Sequence, residues 1–325
     1  MDRRTMLAAG AALLAGSPAG VRANEPNWPS RPITFVVPIS AGSPTDVMAR
    51  AVAQDLSPKL GQPIVVDNKP GGGGLIATTA VQQAKPDGHT FLFTISSHSI
   101  NPAVRKQVRY DPIRDFTPIG LIGAVPHVLV VGPHVPAQDL AALVALARSK
   151  PDRLSYGSAG IGISNHMEGE LFASMIGARM VHVPYKGGSS EARADLFAGR
   201  IDMLFDVLAN AAPFVREGRL KAMGVAQARR SRLAPEIPTL AESGLPGFDV
   251  MPWTGLLGPA GVDPAIARRL GRVLVDTVTE PKMVERLATT GIEAIGQTPE
   301  QFAAFLQRDV AQWNEVARKA RIEID

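Results

Sequence analysis

The chain has 325 residues, enough for about two domains of ordinary size, each with its own core. Its hydrophobic fraction is 45%, its formal charge of +4 is spread without a dense Lys/Arg run, and it contains no cysteine. That balance carries no electrostatic footprint for nucleic acid and excludes disulfide and thiolate chemistry.

The first residues read as an export signal. Arg3 and Arg4 give a charged start, residues 6–15 form an apolar core too short to anchor in a bilayer, and Val21-Arg22-Ala23 ends on a small residue. Cleavage is expected after Ala23, which removes three arginines and one aspartate and leaves a net charge of about +2. The arginine pair has some twin-arginine character, and general secretion fits equally well.

Short continuous apolar runs then alternate with helical patterns. Strands are predicted at 33–37, 64–67, 90–95, 128–131, 154–157, 180–184, 201–205 and 220–225. Helices are predicted between most of them, at 75–84, 140–149, 167–176 and 191–198, with 264–277 and 299–319 as closing elements. Alternation of this kind predicts an α/β fold with parallel sheets covered by helices on both faces. Pro126, Pro133 and Pro136 flank one strand, and Pro246, Gly247, Pro252, Gly258 and Pro259 interrupt a second apolar stretch. Two crossings there predict a discontinuous first domain, 24–127 with 249–325, and an inserted second domain, 128–248, with a ligand cleft between them.

The turns after the strands carry the chemistry. Ser40, Ala41 and Gly42 lead into Ser43-Pro44-Thr45-Asp46, which has the form of a capping box with Asp46 returning to the Ser43 N–H. A helix start after a strand end presents backbone donors and a positive dipole end, suited to a small anion. If the cap residues satisfy each other, Ser40 to Gly42 and water-bridged contacts carry the binding instead.

The second turn, Gly71 to Gly74, fits a dinucleotide fingerprint only superficially. The next strand ends in Ser96-Ser97-His98, without the acid that holds a ribose hydroxyl, and no Lys-Ser or Lys-Thr follows the glycines. A packing turn is the better reading, and Ser96 joins the ligand-binding set. In the third turn Ser158, Ala159, Gly160 and Ser164 offer donors suited to a carboxylate. His166 reads either as a pH-sensitive ligand contact or as a helix-start residue packed on the sheet. Asp206 reads either as a partner for a ligand ammonium or as a bonded loop residue. No nucleophile elbow, metal-spaced cluster or hydrolase signature surrounds any of these, so neither catalysis nor a cofactor is predicted.

Several segments in order carry a family resemblance: Val37-Pro38 with Gly42 and Thr45-Asp46, Asn68-Lys69-Pro70-Gly71 to Gly74, Pro86-Asp87-Gly88 and Ile100-Asn101-Pro102. Tyr156-Gly157-Ser158-Ala159-Gly160, His166, Val183-Pro184-Tyr185-Lys186-Gly187 and Ile237-Pro238-Thr239 continue it. Over the whole mature chain the sequence resembles the Bug, or TctC-like, extracytoplasmic solute receptors of tripartite tricarboxylate transporters. The resemblance implies a two-domain periplasmic-binding-protein fold of type II-like form, acting as a monomer in the periplasm. It would close over a di- or tricarboxylate, an acidic amino acid or an aromatic acid for delivery to the transporter's membrane subunits. It places ligand contacts at Ser40 to Asp46 and Ser158 to His166. Where the family often has a glycine, this chain has Ser43. Two other functions compete: an exported hydrolase using His166 and Asp206, and a ligand sensor for a membrane signalling protein.

Overall fold

The computed structural model describes residues 28–324, so the expected export signal and its cleavage point lie outside the described residues. Six strands form the first sheet. Their spatial order is β2 (Ile64–Asn68), β1 (Ile33–Val37), β3 (Thr90–Ile95), β10 (Trp253–Pro259), β4 (Phe116–Ala124), β11 (Glu293–Gln297). The second sheet runs β7 (Val181–Pro184), β6 (Ser155–Ser158), β8 (Met203–Val207), β5 (His127–Val131), β9 (Lys221–Val225). The chain crosses from the first sheet to the second between Ala124 and His127, and back between Val225 and Trp253.

The cores follow from strand alternation. On β1, Phe35 and Val37 face α1 (Pro44–Leu60), α8 (Pro264–Thr279) and α9 (Pro281–Ala288), whereas Val36 faces α2 (Leu75–Gln82) and α10 (Pro299–Ala320). On β5, Leu129 and Val131 pack against α4 (Leu140–Ser149) and α5 (Ser164–Ile176); Val128 and Val130 pack against α6 (Ser189–Phe197) and α7 (Leu208–Arg216). Both sheets are therefore covered on both faces. The long α10 serves two cores: Phe302 and Leu306 belong to the first sheet, and Trp313 and Val316 to the second. The remaining helix, α3 (Ser97–Val104), lies along it.

The sheets are mixed, not parallel as the alternation predicted. Pairings of β1 with β2 and β3, and of β6 with β7 and β8, are parallel. In contrast, β5 runs antiparallel to β8 and β9, β10 to β3 and β4, and β11 to β4. An apolar run has no sign for direction. Two of the reversed strands, β5 and β10, are those by which the chain enters each sheet after a crossing.

Three strands, β4, β10 and β11, have no counterpart among the predicted ones because glycine and proline interrupt them. Those glycines sit where backbones crowd. A Cβ on Gly123 would lie 2.6 Å from the backbone oxygen of Glu293, and one on Gly255 would meet the Phe302 ring at 2.6 Å. The ladders also shift register here, between Thr254 and Gly255 and between Ala294 and Gln297. Gly123→Ala is expected to cost about 1–3 kcal/mol, because the opposing atom is backbone and cannot rotate away. Chemical denaturation checks it, and an unchanged midpoint would show that β11 yields. The glycine-rich second turn is a packing element: Gly71 to Gly74 all have positive φ, and Asn101 Nδ2 donates to Gly73 O at 2.9 Å.

Candidate functional site

A cavity of about 360 Å³ opens where the ends of the two sheets meet, lined from both. The first sheet contributes the start of α1 with Thr45 and Met48, the end of β3 with Ser96, and Trp253 and Thr254 of β10. The second contributes His127 of β5 and the starts of α5, α6 and α7.

Those three helix starts share a property. No side chain caps α5, α6 or α7, whose preceding residues are Ile163, Gly188 and Val207. By contrast α1, α4, α8 and α10 are capped by Ser43, Asp139, Asp263 and Thr298, while α2, α3 and α9 also start without a capping side chain. An uncapped start leaves amide donors and the positive end of the helix dipole facing outward. Ser164 and Asn165 of α5, Ser189 of α6, and Ala209 and Asn210 of α7 all line the cavity. Asn165 Nδ2 donates to Ser189 Oγ at 3.2 Å and so ties two of the starts together. Among the described residues, the lining contains no Lys, Arg, Asp or Glu. Positive potential there comes from oriented backbone, hydroxyls and His127, over an apolar wall of Met48, Ile95, Val125 and Trp253. Such an arrangement is chemically suited to a small anion, with no Lys or Arg side chain among the described lining residues.

Of the residues picked from sequence, Thr45, Ser96, Ala159 and Ser164 meet in this lining. Ser40, Ala41 and Gly42 are exposed beside it, and Ser43 is half-buried as the cap of α1, its Oγ accepting from Asp46 N at 3.2 Å. The capping box is only half made. Asp46 does not return to Ser43 N–H, which donates to Ser40 O; its carboxylate accepts from Gly42 N at 2.9 Å, from Asn68 Nδ2 and from Arg50. The reach is one residue longer because Arg50, one turn on, draws the carboxylate into an ion pair. Burial opposes ionisation of Asp46, but Arg50, Gly42 and Asn68 together hold its pKa below the ordinary value. Its acid is fully engaged by Gly42, Arg50 and Asn68.

Ser158, Gly160, His166 and Asp206 are not among the lining residues. Ser158 Oγ is enclosed, accepting from Gly160 N and meeting His182 Nε2 at 2.6 Å. His166 accepts the Gly162 N–H through Nδ1 at 3.0 Å and stacks on His182 at 3.9 Å between centroids. Burial, with His182 adding, lowers its pKa to about 3, so it is a neutral helix-start residue shaping the turn. Asp206 is wholly buried, paired with Arg193 and accepting from Val207 N at 2.9 Å. His166 and Asp206 thus have separate partners.

Sequence reasoning missed His127 and Glu168. His127 is 8% exposed on the cavity wall, and its Nδ1 lies 2.8 Å from Oε2 of Glu168, which is 0% exposed. Burial pulls His127 toward the neutral form, but the carboxylates of Glu168 and Asp206 outweigh it and raise its pKa. The only signals were a histidine opening an apolar strand and a glutamate on the apolar side of a helix.

Residues 48–322 match the family model described as the tripartite tricarboxylate transporter family receptor. Protein BugT of Bordetella pertussis is 34% identical over 94% of this chain and 93% of its own length. Among solved structures, Rhodopseudomonas palustris Rpa4515 with adipate is 33% identical, covering 92% of this chain and 100% of that one, with a TM-score of 0.74. MatC of the same organism, with bound malate, is 32% identical over 89% of this chain and 99% of its own, with a TM-score of 0.70. These matches agree with the two-sheet architecture: the chain belongs to the Bug, or TctC, family of tripartite tricarboxylate transporter receptors.

Proposed function

We propose that the protein is a periplasmic receptor that captures a small di- or tricarboxylate in this cavity and delivers it to the membrane subunits of a tripartite transporter. The observation that carries the reading is the convergence of three uncapped helix starts on one wall. Adipate and malate in two related structures support the ligand class. Because no carboxylate side chain lines the cavity, an acidic amino acid would leave its ammonium without a counter-charge, and acids lacking an amine are favoured. The two sheets, each with its covering helices, would move as two bodies about the crossings beside Val125 and Pro252, closing on the ligand.

Thermal-shift screening of the mature protein tests this. A cognate acid at a hundred times its Kd should stabilise the fold by about 2.7 kcal/mol. Stabilisation by another chemical class, with none by any carboxylate, would overturn the reading.

A further inference from the structure

We propose that His127, positioned by Glu168, is the group that recognises the second carboxylate of a diacid, so that this receptor selects dicarboxylates over monocarboxylates of the same length. The proposal rests on the carboxylate reading above and names a residue and a selectivity that it leaves open.

Geometry carries it. His127 is the one titratable side chain among the cavity's described lining residues. Its Nδ1 edge is held at 2.8 Å by Glu168 Oε2, and the other oxygen of that carboxylate, Oε1, is buried with no hydrogen-bond partner. A wholly buried carboxylate with a single partner is costly unless that partner neutralises it. The imidazole is therefore the counter-charge for Glu168. Since Nδ1 is occupied, the ring has only Nε2 for a ligand in the cavity it lines.

The proton inventory then sets what Nε2 offers. With the pair holding its shared proton, either on Nδ1 or on Oε2, Nε2 keeps its own hydrogen and donates. Once that proton is lost, Nδ1–H points to the Glu168 carboxylate and Nε2 presents a lone pair, which repels a carboxylate. Three further elements bear on the pair. Glu168 comes from α5, Asp206 from β8, and Arg193 from α6 neutralises Asp206 from behind. Burial raises the Glu168 pKa and the two carboxylates raise that of His127, so both directions favour the proton-bearing state. The donor is thus kept to a higher pH than an ordinary imidazole would keep it. Glu168 is a positioning residue, since it does not line the cavity. The helix starts of α5 to α7 take one carboxylate and His127 takes the other, a division of labour that a monoacid cannot use.

Isothermal titration of the mature chain with two matched pairs, adipate with hexanoate and succinate with butyrate, tests the inference. In at least one pair the diacid should bind about tenfold to a hundredfold tighter, the worth of one charge-assisted hydrogen bond. His127→Ala should bring that ratio to within about threefold while the monoacid keeps its affinity, which also reports an intact fold. Glu168→Gln keeps the shape but removes the carboxylate that raises the proton affinity of His127. Its diacid preference should fall more steeply between pH 5.5 and pH 7.5 than that of the wild type. A merely structural glutamate would not shift the pH profile. Should His127→Ala lose both acids, the Glu168→Gln profile decides. An unchanged diacid preference in both variants overturns the role of His127 and leaves carboxylate capture standing. A wild type that binds neither member of either pair, while another class of ligand stabilises it, overturns both.

Discussion

Arg193→Met is expected to destabilise the fold by about 3–5 kcal/mol at neutral pH, the usual cost of stranding one member of a buried ion pair. Asp206 sits on the central strand β8 with 0% exposure, and the guanidinium of Arg193 on α6 is its main counter-charge. The other oxygen accepts only the Val207 N–H. Burial already raises the Asp206 pKa even with Arg193 present, so removing the guanidinium drives the group further toward the protonated form. The sign of the pH effect follows. A raised carboxyl pKa gives stability that is present at low pH and lost as pH rises through the folded-state value. The deficit of Arg193→Met relative to wild type should therefore be large at pH 7 and shrink on acidification. Adding Asp206→Asn to the variant should recover most of the loss, because a neutral amide needs no counter-charge. Urea unfolding of the four chains of this cycle measures the coupling. A single-variant loss under about 1 kcal/mol would mean that Asp206 is served by water or by His127 instead.

The residues legible in the sequence are those whose contacts are local. A strand end followed by a capping residue and a helix start is written within about eight residues, which is why Thr45, Ser96, Ala159 and Ser164 were picked and do line the cavity. Even there the pattern stopped at the partner's identity. Ser43 caps Asp46 N as its spacing indicates, yet Asp46 turns to Gly42 and Arg50, a choice made by a charge one helical turn away. Long-range pairs left almost no mark. His127 and Glu168 are 41 residues apart, and each reads in isolation as an oddity on an apolar element. Trp253 and Thr254 lie on β10, whose glycines hide a strand by allowing close approach of β4 and Phe302. The strand direction that separates a mixed sheet from a parallel one depends on where the chain crosses, and apolar runs do not encode that.

Asp309→Ala is expected to be as damaging as the loss of Arg193, with a distinctive pH signature. Asp309 of α10 accepts from Trp253 Nε1 at 2.8 Å and Trp313 Nε1 at 2.9 Å, and also meets the Ser99 hydroxyl. It thereby joins β10, α3 and both halves of α10, and it fixes the indole that forms one wall of the cavity. Truncation strands two buried indole donors, at about 1–3 kcal/mol each, so a total near 4 kcal/mol is expected. Ser99 also donates to Ser96 O, so its single hydrogen has two acceptors, and a proton on Asp309 removes the competition. Burial, opposed by these three donors, raises the Asp309 pKa from 3.8 to about 6. The folded state therefore keeps the proton through a range where the unfolded chain has released it. Stability from this group is fully present below pH 3.8 and is lost as pH rises through about 6. The gap between wild type and Asp309→Ala should narrow by about 2 kcal/mol between pH 4.5 and 7.5. Measuring denaturation midpoints of both chains across that range isolates Asp309, because every other carboxylate titrates in both. A gap that widens with pH would show that the carboxylate is held ionised by its indole donors, and that the link between α10 and the cavity wall is charged.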